Sequence, residues 1–370
     1  MSSHVSLNPG RLRTARQLRR LTGTDLAEAM NVAPTTITAW EKGRREPDPY
    51  TIRQLAQVLR VPVHYLESGE DLGPAETQDV FFRRLRRTAT IDRDQARALA
   101  AAIDQLRELI LRYVDVPGPN VPQFPLADGG VDPDDASSAP AHAAAECRRA
   151  WGMGNGPIPS VVDLLEHHGV WVSLLDGELS RAIDAFSYWR DGWAHVVLSP
   201  AKKDAYRSRF DAAHELGHLV MHHQGADGTE AEIERQANEF ASAFLMPAET
   251  WVSEAPRSTN PHHYLEWKPR WKVSVAAMLY RSHRLGLLDE SRYKSAMVRY
   301  SQLGWRTGEP GMEAVLHEQP KMTSSILSVL APHGVTLATL QSELGLPPDL
   351  MELITSLVVS RVSRPSLRVV

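Results

Sequence analysis

The sequence His214-Glu215-Leu216-Gly217-His218 lies within apolar residues at helical spacing, and it decides how the rest of the chain is interpreted. Residues four positions apart lie on the same face of a helix, so the imidazoles of His214 and His218 project side by side. Two neutral imidazoles at this spacing can hold one Zn²⁺, and the adjacent Glu215 is left to act on water. The pentapeptide therefore predicts a helical metal site in which Glu215 is the catalytic base.

A second helical pattern follows after a short loop, with the sequence Glu234-Arg235-Gln236-Ala237-Asn238-Glu239-Phe240-Ala241. A tetrahedral catalytic zinc needs a third protein ligand and one open position. We predict Glu234 as that ligand and Asn238, one turn further along the same face, as a residue that supports a ligand from behind. Glu230 and Glu232 are alternative ligands. The simpler alternative is that the two histidines are ordinary buried residues and that Glu234 is a solvated charge.

These residues carry a family resemblance. The sequence Arg209-Phe210-Asp211-Ala212-Ala213 before the pentapeptide, and Phe244-Leu245-Met246-Pro247 after the second pattern, resemble the ImmA/IrrE family of metallopeptidases. The resemblance covers roughly residues 141–312, and Phe244 stands where the family more often has Leu. It implies a zinc-dependent endopeptidase with a thermolysin-like arrangement whose targets are helix-turn-helix repressor proteins.

The composition limits the classes of partner and compartment. The 370-residue chain is long enough for two or three domains, and its net charge of −4 gives no overall attraction to polyanions. A nucleic-acid-binding surface must therefore be local. The single cysteine, Cys147, excludes a disulfide framework and is typical of a reducing compartment. The sequence has no apolar stretch of about 18 residues and no signal-peptide pattern, so we expect a cytoplasmic protein with no membrane partner.

The N-terminal block predicts a series of short helices, over residues 9–21, 24–30, 35–42, 50–59 and 63–66. A three-residue turn, Asn31-Val32-Ala33, separates the second helix from the third in the manner of a helix-turn-helix. The block resembles the XRE (Cro/C1-type) DNA-binding domains over about residues 8–68. The resemblance implies double-stranded DNA as a partner. It also implies that Thr35, Thr36 and Thr38 face base edges while Arg44 and Arg45 meet the backbone.

The charge of this block agrees with phosphate binding. Over residues 9–60, its basic residues outnumber its acidic residues two to one. The basic residues are Arg11, Arg13, Arg16, Arg19, Arg20, Lys42, Arg44, Arg45, Arg53 and Arg60, and the acidic residues are Asp25, Glu28, Glu41, Glu46 and Asp48. A small helical domain used for protein contact is the alternative interpretation.

Residues 81–116 predict a long helix with an apolar seam formed by Leu99, Ile103, Leu106, Ile110 and Tyr113. The seam fits two alternatives equally: a helix that forms a homodimer, or a helix that packs on the peptidase. Beyond the following linker, helices are predicted at residues 141–151 and 160–168. Strands are predicted at residues 169–175, 183–189 and 194–198, the last two joined through Gly192 as a hairpin.

The predicted fold is mainly α with a small β-sheet (α+β). An all-α helix-turn-helix domain precedes a thermolysin-like minimal metallopeptidase domain. The predicted boundaries are residues 1–70 for the helix-turn-helix domain, 71–118 for a helical connector, 119–140 for a linker rich in Pro, Gly and Asp, 141–312 for the peptidase and 313–370 for a C-terminal helical region.

Taken together, the patterns predict a DNA-binding transcriptional regulator with a zinc-dependent endopeptidase domain that cleaves a helix-turn-helix repressor. The alternative is a transcription factor whose peptidase-like domain senses metal, stress or a ligand and cuts nothing. His222, Tyr280 and Arg281 are candidates to stabilise the oxyanion that develops during hydrolysis, and the sequence does not place any of them.

Overall fold

The computed structural model describes residues 6–67, 89–124, 139–175, 179–183, 185–199, 204–223, 228–312 and 316–355. These residues form two compact units. The helical unit comprises the described residues up to 116 and residues 322–355, and the sheet unit comprises the described residues from 117 to 321. In chain order, the sheet unit is therefore inserted between two parts of the helical unit. The structure is mostly helical with one small sheet, which confirms the predicted fold class.

The elements follow one another in this order. The first part of the helical unit contains α1 (Pro9–Leu18), α2 (Gly23–Ala29), α3 (Pro34–Glu41), α4 (Pro49–Leu59), α5 (Val63–Glu67) and α6 (Thr90–Leu111). The sheet unit contains α7 (Ala139–Ala150), α8 (Val161–His167), β1 (Trp171–Leu174), α9 (Leu179–Ala182), β2 (Ala185–Arg190), β3 (Trp193–Leu198), α10 (Ala205–Met221), α11 (Glu230–Leu245), α12 (Ala248–Glu254), a 3₁₀ helix (Pro261–Trp267), α13 (Lys268–Trp271), α14 (Val275–Arg284) and α15 (Glu290–Gln302). The helical unit then resumes with α16 (Met322–Leu330), a 3₁₀ turn (Ala331–His333), α17 (Leu337–Leu344) and α18 (Pro348–Thr355).

Side-chain caps explain where the first helices begin. The Asn8 side chain accepts hydrogen bonds from the amides of Gly10 and Arg11, both at 3.1 Å, at the start of α1. Thr22 and Asp25 form a reciprocal capping box at the start of α2. Such caps satisfy amides that have no partner within the helix. The predicted N-terminal helices agree with the observed ones to within two or three residues.

The predicted seam of the long helix lies in the interior of the helical unit. Leu99, Ile103, Leu106 and Ile110 on α6 are at most 1% exposed, and α6 packs against α1, α17 and α18. The seam therefore serves neither of the two predicted purposes, because helices of its own unit already cover it. Tyr113 lies beyond the end of α6, and its hydroxyl hydrogen bonds to Glu343 instead of joining the seam. The part of the predicted helix before residue 89 lies outside the described residues.

Residues 322–355 complete the helical unit. The apolar side chains of Leu340, Leu350 and Met351 are buried against its core. An ion pair between Arg19 and Asp349 joins α1 to the start of α18. The segment that the sequence analysis separated as a C-terminal region is thus packed with the N-terminal helices.

The sheet unit is organised around three strands in the order β1-β3-β2. β1 pairs with β3 in parallel, and β2 pairs with β3 in antiparallel orientation. The turn between β2 and β3 has positive φ at both central residues, 50° at Asp191 and 77° at Gly192. This geometry matches the right-handed twist of a hairpin. The three strands and the hairpin occur where the sequence predicts them.

One face of α10 packs on this sheet, and α10 also packs along α11. The close approach of the two helices depends on Gly217, because a β-carbon there would lie 3.0 Å from the Phe240 ring. At the other end of α10, the buried Arg209 guanidinium donates to the carbonyls of Ile158 (2.6 Å) and Lys272 (3.0 Å) and pairs with Glu318. Burial lowers the pKa of Arg209 to about 10. The helix is fixed at both ends of its buried face.

One further observation concerns the start of the sheet unit. Residues 119–124, assigned to the linker from sequence, are packed: Val121 is buried, and the Phe124 amide donates to the Val220 carbonyl at 2.9 Å.

Within the described residues, no single helix is long and apolar enough to cross a membrane. One sharply bent pair, Met322–His333 with Leu337–Leu344, meets the criteria of length and composition.

Candidate metal centre and nucleic-acid interface

The metal-binding residues predicted from α10 and α11 converge at one point. One ligand atom from each of His214, His218 and Glu234 lies within 4.8 Å of the others. The two Nε2 atoms are 3.0 Å apart, and the Glu234 carboxylate oxygens lie 3.4 Å and 3.6 Å from Nε2 of His214 and His218. Both imidazoles are buried, and Glu234 is half-buried. Glu230 is not part of this cluster, and Glu232 instead accepts hydrogen bonds from Thr229 in the cap of α11.

Hydrogen bonds behind the cluster fix the tautomers of the two histidines. The Asn238 side-chain oxygen lies 3.0 Å from Nδ1 of His214, so Nδ1 carries the proton and Nε2 carries a lone pair. On the other side, Nε2 of His222 donates to the Gln236 side-chain oxygen at 2.9 Å. With the His222 proton on Nε2, its Nδ1 accepts from Nδ1 of His218, 3.0 Å away, which leaves a lone pair on Nε2 of His218.

This arrangement fits a bound cation. Two nitrogen lone pairs and one carboxylate lie 3.0–3.6 Å apart, and such a group repels itself unless positive charge lies between its members. Two nitrogens on one tetrahedral zinc are about 3.3 Å apart, given Zn–N bonds of about 2.0–2.1 Å. The observed separation of 3.0 Å between the Nε2 atoms of His214 and His218 is close to that value. The donor set of two imidazoles and one carboxylate is a catalytic zinc set that leaves a fourth position open.

Glu215 lies beside this cluster and is only 1% exposed. Its carboxylate accepts a hydrogen bond of 2.7 Å from the hydroxyl of Ser187, a residue of β2. The hydroxyl is also 3.2 Å from the Glu215 carbonyl oxygen. The sheet thus holds the Glu215 side chain in one orientation. Sequence reasoning did not identify Ser187, although alternation along β2 would place it on the same face as Ala185 and Trp189.

A cavity of about 830 Å³ opens on the Glu234 side of the cluster. Residues of four helices, α10, α11, α14 and α15, line it together with the loop after α15. Its lining includes Glu234, Arg235, Asn238, Tyr280, Tyr300 and Glu309. Because the cavity reaches a predicted metal ligand and the residue that supports His214, it provides room for a substrate next to the metal centre.

The three candidates for oxyanion stabilisation differ in their surroundings. His222 uses both ring nitrogens, one toward His218 and one toward Gln236. Arg281 is buried and donates from Nε to the Met246 carbonyl at 2.9 Å, and burial lowers its pKa to about 10. Tyr280 is half-buried in the cavity wall. Burial is the main cause that raises the pKa of the Tyr280 hydroxyl.

In the helical unit, α2 and α3 form a helix-turn-helix. Thr35 and Thr38 are exposed on α3, and Thr36 is half-buried. Arg44 and Arg45 follow α3 and are exposed. The five predicted DNA-contacting residues therefore lie on α3 or directly after it, and four of them are open to solvent.

The basic residues of this region fall into two groups. Arg11, Arg13, Arg16, Arg19 and Arg20 bind other parts of the unit: Arg16 pairs with Glu41 at 2.6 Å, Arg20 pairs with Asp92 at 2.8 Å, Arg13 donates to the Glu41 carbonyl, Arg19 pairs with Asp349, and Arg11 stacks on Tyr65. The exposed group comprises Lys42, Arg44, Arg45, Arg53 and Arg60, for which the described residues offer no ion-pair partner. Five of these ten basic residues are thus paired or held within the fold.

Comparisons with known proteins address both sites. Residues 165–283 match the family model described as the IrrE N-terminal-like domain, and residues 12–66 match the helix-turn-helix model. The chain carries one domain of each kind. A curated protein from Bacillus subtilis (strain 168), named as the HTH-type transcriptional regulator YqaE, is 34% identical over 59 residues. That match covers 16% of this chain and 51% of the relative, so the chain spans about half the length of the curated relative that it matches.

The matched range of the IrrE-like domain contains His214, Glu215, His218, Glu234 and Tyr280. The structure places His222, a candidate for oxyanion stabilisation from sequence, behind His218 instead, where it also contacts Gln236. The spacing of His222 one turn after His218 was a usable signal. Gln236 gave none, because its role depends on how α11 packs against α10.

Proposed function

We propose that this protein is a DNA-binding transcriptional regulator whose IrrE-like domain is a zinc-dependent endopeptidase, and that its substrate is a helix-turn-helix repressor. The observation that carries the proposal is the convergence of two fixed Nε2 lone pairs and the Glu234 carboxylate beside Glu215. His214, His218 and Glu234 hold the zinc, and Asn238 supports His214. A zinc ion held there would polarise the carbonyl of a bound peptide and lower the pKa of a water molecule.

Glu215 acts as the general base in this proposal. Its carboxylate takes the proton from the attacking water and passes it to the nitrogen of the leaving amine. The new C–O bond forms first and places negative charge on the carbonyl oxygen, and the scissile C–N bond then breaks, so the products are one carboxylate and one amine. Ser187 orients the Glu215 carboxylate through the 2.7 Å hydrogen bond. An extended segment of the substrate lies along β2, the sheet-edge strand that carries Ser187.

The helix-turn-helix domain provides the DNA-binding part of the proposal. The exposed side chains of Thr35 and Thr38, with Thr36 beside them, read base edges from the major groove. Arg44 and Arg45 bind phosphates. The exposed group of basic residues supports this role, because these side chains are available to a ligand.

The test is incubation of the zinc-loaded protein with candidate helix-turn-helix repressors. Glu215→Gln keeps the size and the polar character of the side chain but removes the base, so we expect cleavage to fall by about 10²–10⁴-fold. Zinc content should stay equal to wild type. Glu230→Gln is the matched control, since Glu230 lies on α11 outside the ligand cluster.

A second experiment with the same variant separates the proposal from the non-cleaving alternative. Transcription from the regulated promoter is measured in cells that carry wild-type protein or the Glu215→Gln variant. Equal regulation by both proteins, with no fragment that depends on Glu215, would reject the peptidase function and favour a domain that senses metal, stress or a ligand.

A further inference from the structure

Peptide hydrolysis places negative charge on the oxygen of the attacked carbonyl. A hydrogen-bond donor fixed next to that oxygen lowers the barrier, because the bond is stronger in the transition state than in the ground state. Such a donor must border the space that holds the substrate, and its hydrogen must not already be used within the fold. These two conditions can be applied to the residues around the metal centre.

The polar residues near the cluster differ in how they meet these conditions. Both ring nitrogens of His222 are engaged, and the Arg281 side chain is buried with its Nε donated to a carbonyl. Tyr300 lines the cavity, but its hydroxyl lies 2.9 Å from the Trp305 carbonyl and 3.0 Å from the Glu309 carboxylate. Glu309 itself accepts from Lys268 at 2.7 Å and from the amides at the start of α14. These groups hold the wall of the cavity together.

Tyr280 meets both conditions. It lines the cavity together with Glu234 and Asn238, so it borders the space that adjoins the metal centre. No hydrogen bond joins its hydroxyl to any of the described residues. Helical spacing on α14 places Tyr280 one turn after Ala276 and Ala277, which line the same cavity with small side chains and leave the space open.

We propose that Tyr280 is a catalytic residue that donates a hydrogen bond from its hydroxyl to the carbonyl oxygen of the scissile peptide as negative charge develops there. The inference rests on the proposed peptidase function. The raised pKa of the phenol, caused mainly by burial, keeps the proton on the oxygen at neutral pH, which a donor requires. The proton stays on Tyr280 throughout, so the proton balance of hydrolysis remains with Glu215 and water.

The test replaces Tyr280 with Phe, which removes the hydroxyl and keeps the ring. Using a repressor that the wild type cleaves, we expect kcat to fall by about 10²–10³-fold, the range for the loss of one oxyanion donor, while KM changes little. Zinc content and melting temperature should match wild type. Tyr293→Phe is the control: it makes the same chemical change on α15, where the ring stacks on His283 and does not line the cavity.

A binding measurement gives a readout that does not need cleavage. A peptide with a phosphonamidate group in place of the scissile amide presents a tetrahedral anion, and its affinity is measured by calorimetry on the zinc-loaded protein. Tyr280→Phe should weaken this binding by the same factor as kcat. It should leave the affinity of the unmodified peptide unchanged, as measured on proteins that also carry Glu215→Gln.

The outcomes separate the two proposals. Glu215-dependent cleavage with equal kcat for wild type and Tyr280→Phe overturns the role of Tyr280 and leaves the peptidase function intact. Equal losses of affinity for the unmodified peptide and for the phosphonamidate also overturn the role of Tyr280, because they indicate uniform binding. Absence of cleavage together with Tyr280-dependent phosphonamidate binding rejects the peptidase function and, with it, the catalytic role of Tyr280, and leaves only a hydrogen bond from Tyr280 to a bound anion. Absence of both rejects both.

Discussion

The candidate metal centre and the candidate DNA-binding surface make opposite use of their charged side chains. At the candidate metal centre, residues from two helices turn their electron-rich atoms toward one point. Asn238 contacts the ring of His214, and Gln236 contacts His222, which in turn contacts His218. In the helix-turn-helix region, five of ten basic side chains turn inward and bind other parts of their own unit. The functional groups of the first site all face one point. In the second region, half of the ten basic side chains stabilise the fold.

The difference shows which sequence signals carry over to three dimensions. Spacing on a helix is a geometric statement, so two histidines four positions apart meet on one face wherever that helix forms. A net charge is only a sum. It does not say whether Arg16 points to a phosphate or to Glu41. Substitutions at both sites test this contrast.

Removal of the metal should have the largest effect on stability, and this loss of stability should be confined to the sheet unit. His214→Ala or Glu234→Ala leaves an incomplete ligand set, so we expect zinc content to fall below detection. Zinc present at about 1000-fold over its Kd stabilises the folded state by about 4 kcal/mol. Wild-type protein treated with a chelator should therefore lose about that amount from the unfolding transition of the sheet unit. Metal analysis and calorimetry check both statements.

The control for this prediction is Glu232→Ala. Glu232 belongs to the capping box of α11 and is not part of the ligand cluster. Its loss should lower the stability of the sheet unit through the helix cap, with full zinc content. If Glu234→Ala keeps its zinc and Glu232→Ala loses it, the proposed ligand set is wrong.

Much of the fold and of the candidate site follows from local sequence patterns. The strands, the β2–β3 hairpin and the helices of the N-terminal block occur where periodicity and turn residues predict them. The helices that cover the α6 seam could not be predicted from sequence, because Leu99 and Ile103 are apolar whichever helix covers them. The packing of residues 322–355 with the N-terminal helices could not be predicted either, since contacts across about 300 residues leave no local signal.

The second prediction concerns that long-range packing. Met351 is completely buried in the helical unit, so Met351→Ala should cost about 2–5 kcal/mol of its stability. The zinc content of the sheet unit should not change. Val329→Ala is the matched control, because Val329 lies in the same C-terminal segment and is 63% exposed. We expect an effect within about 0.5 kcal/mol for the control. Equal effects from the two substitutions would show that the C-terminal helices are not packed as described.

The third prediction concerns how closely α10 and α11 approach at the metal centre. A β-carbon at position 217 would lie 3.0–3.2 Å from atoms of Phe240, so Gly217→Ala should cost about 1–3 kcal/mol through overpacking. The double variant Gly217→Ala/Phe240→Leu should recover part of the loss, since the smaller side chain has room to move. Gly23→Ala at the start of α2 meets nothing within 4 Å and should not destabilise its unit. A stabilising Gly217→Ala would mean that helix propensity outweighs the contact with Phe240.

The last and smallest effects distinguish the exposed arginines from the internal ones. Arg44→Ala and Arg45→Ala should each weaken binding to any DNA duplex and reduce the slope of log K against log salt by about 0.9 for each phosphate that the variant no longer binds. Arg20→Ala removes the same charge, but Arg20 pairs with Asp92 at 2.8 Å inside the unit. It should therefore leave the salt slope unchanged and lower only the stability of the helical unit. Binding of the full chain to one duplex at several salt concentrations gives the slopes. If Arg20→Ala flattens the slope as much as Arg44→Ala, the internal arginines also meet phosphates, and the contrast between the two sites disappears.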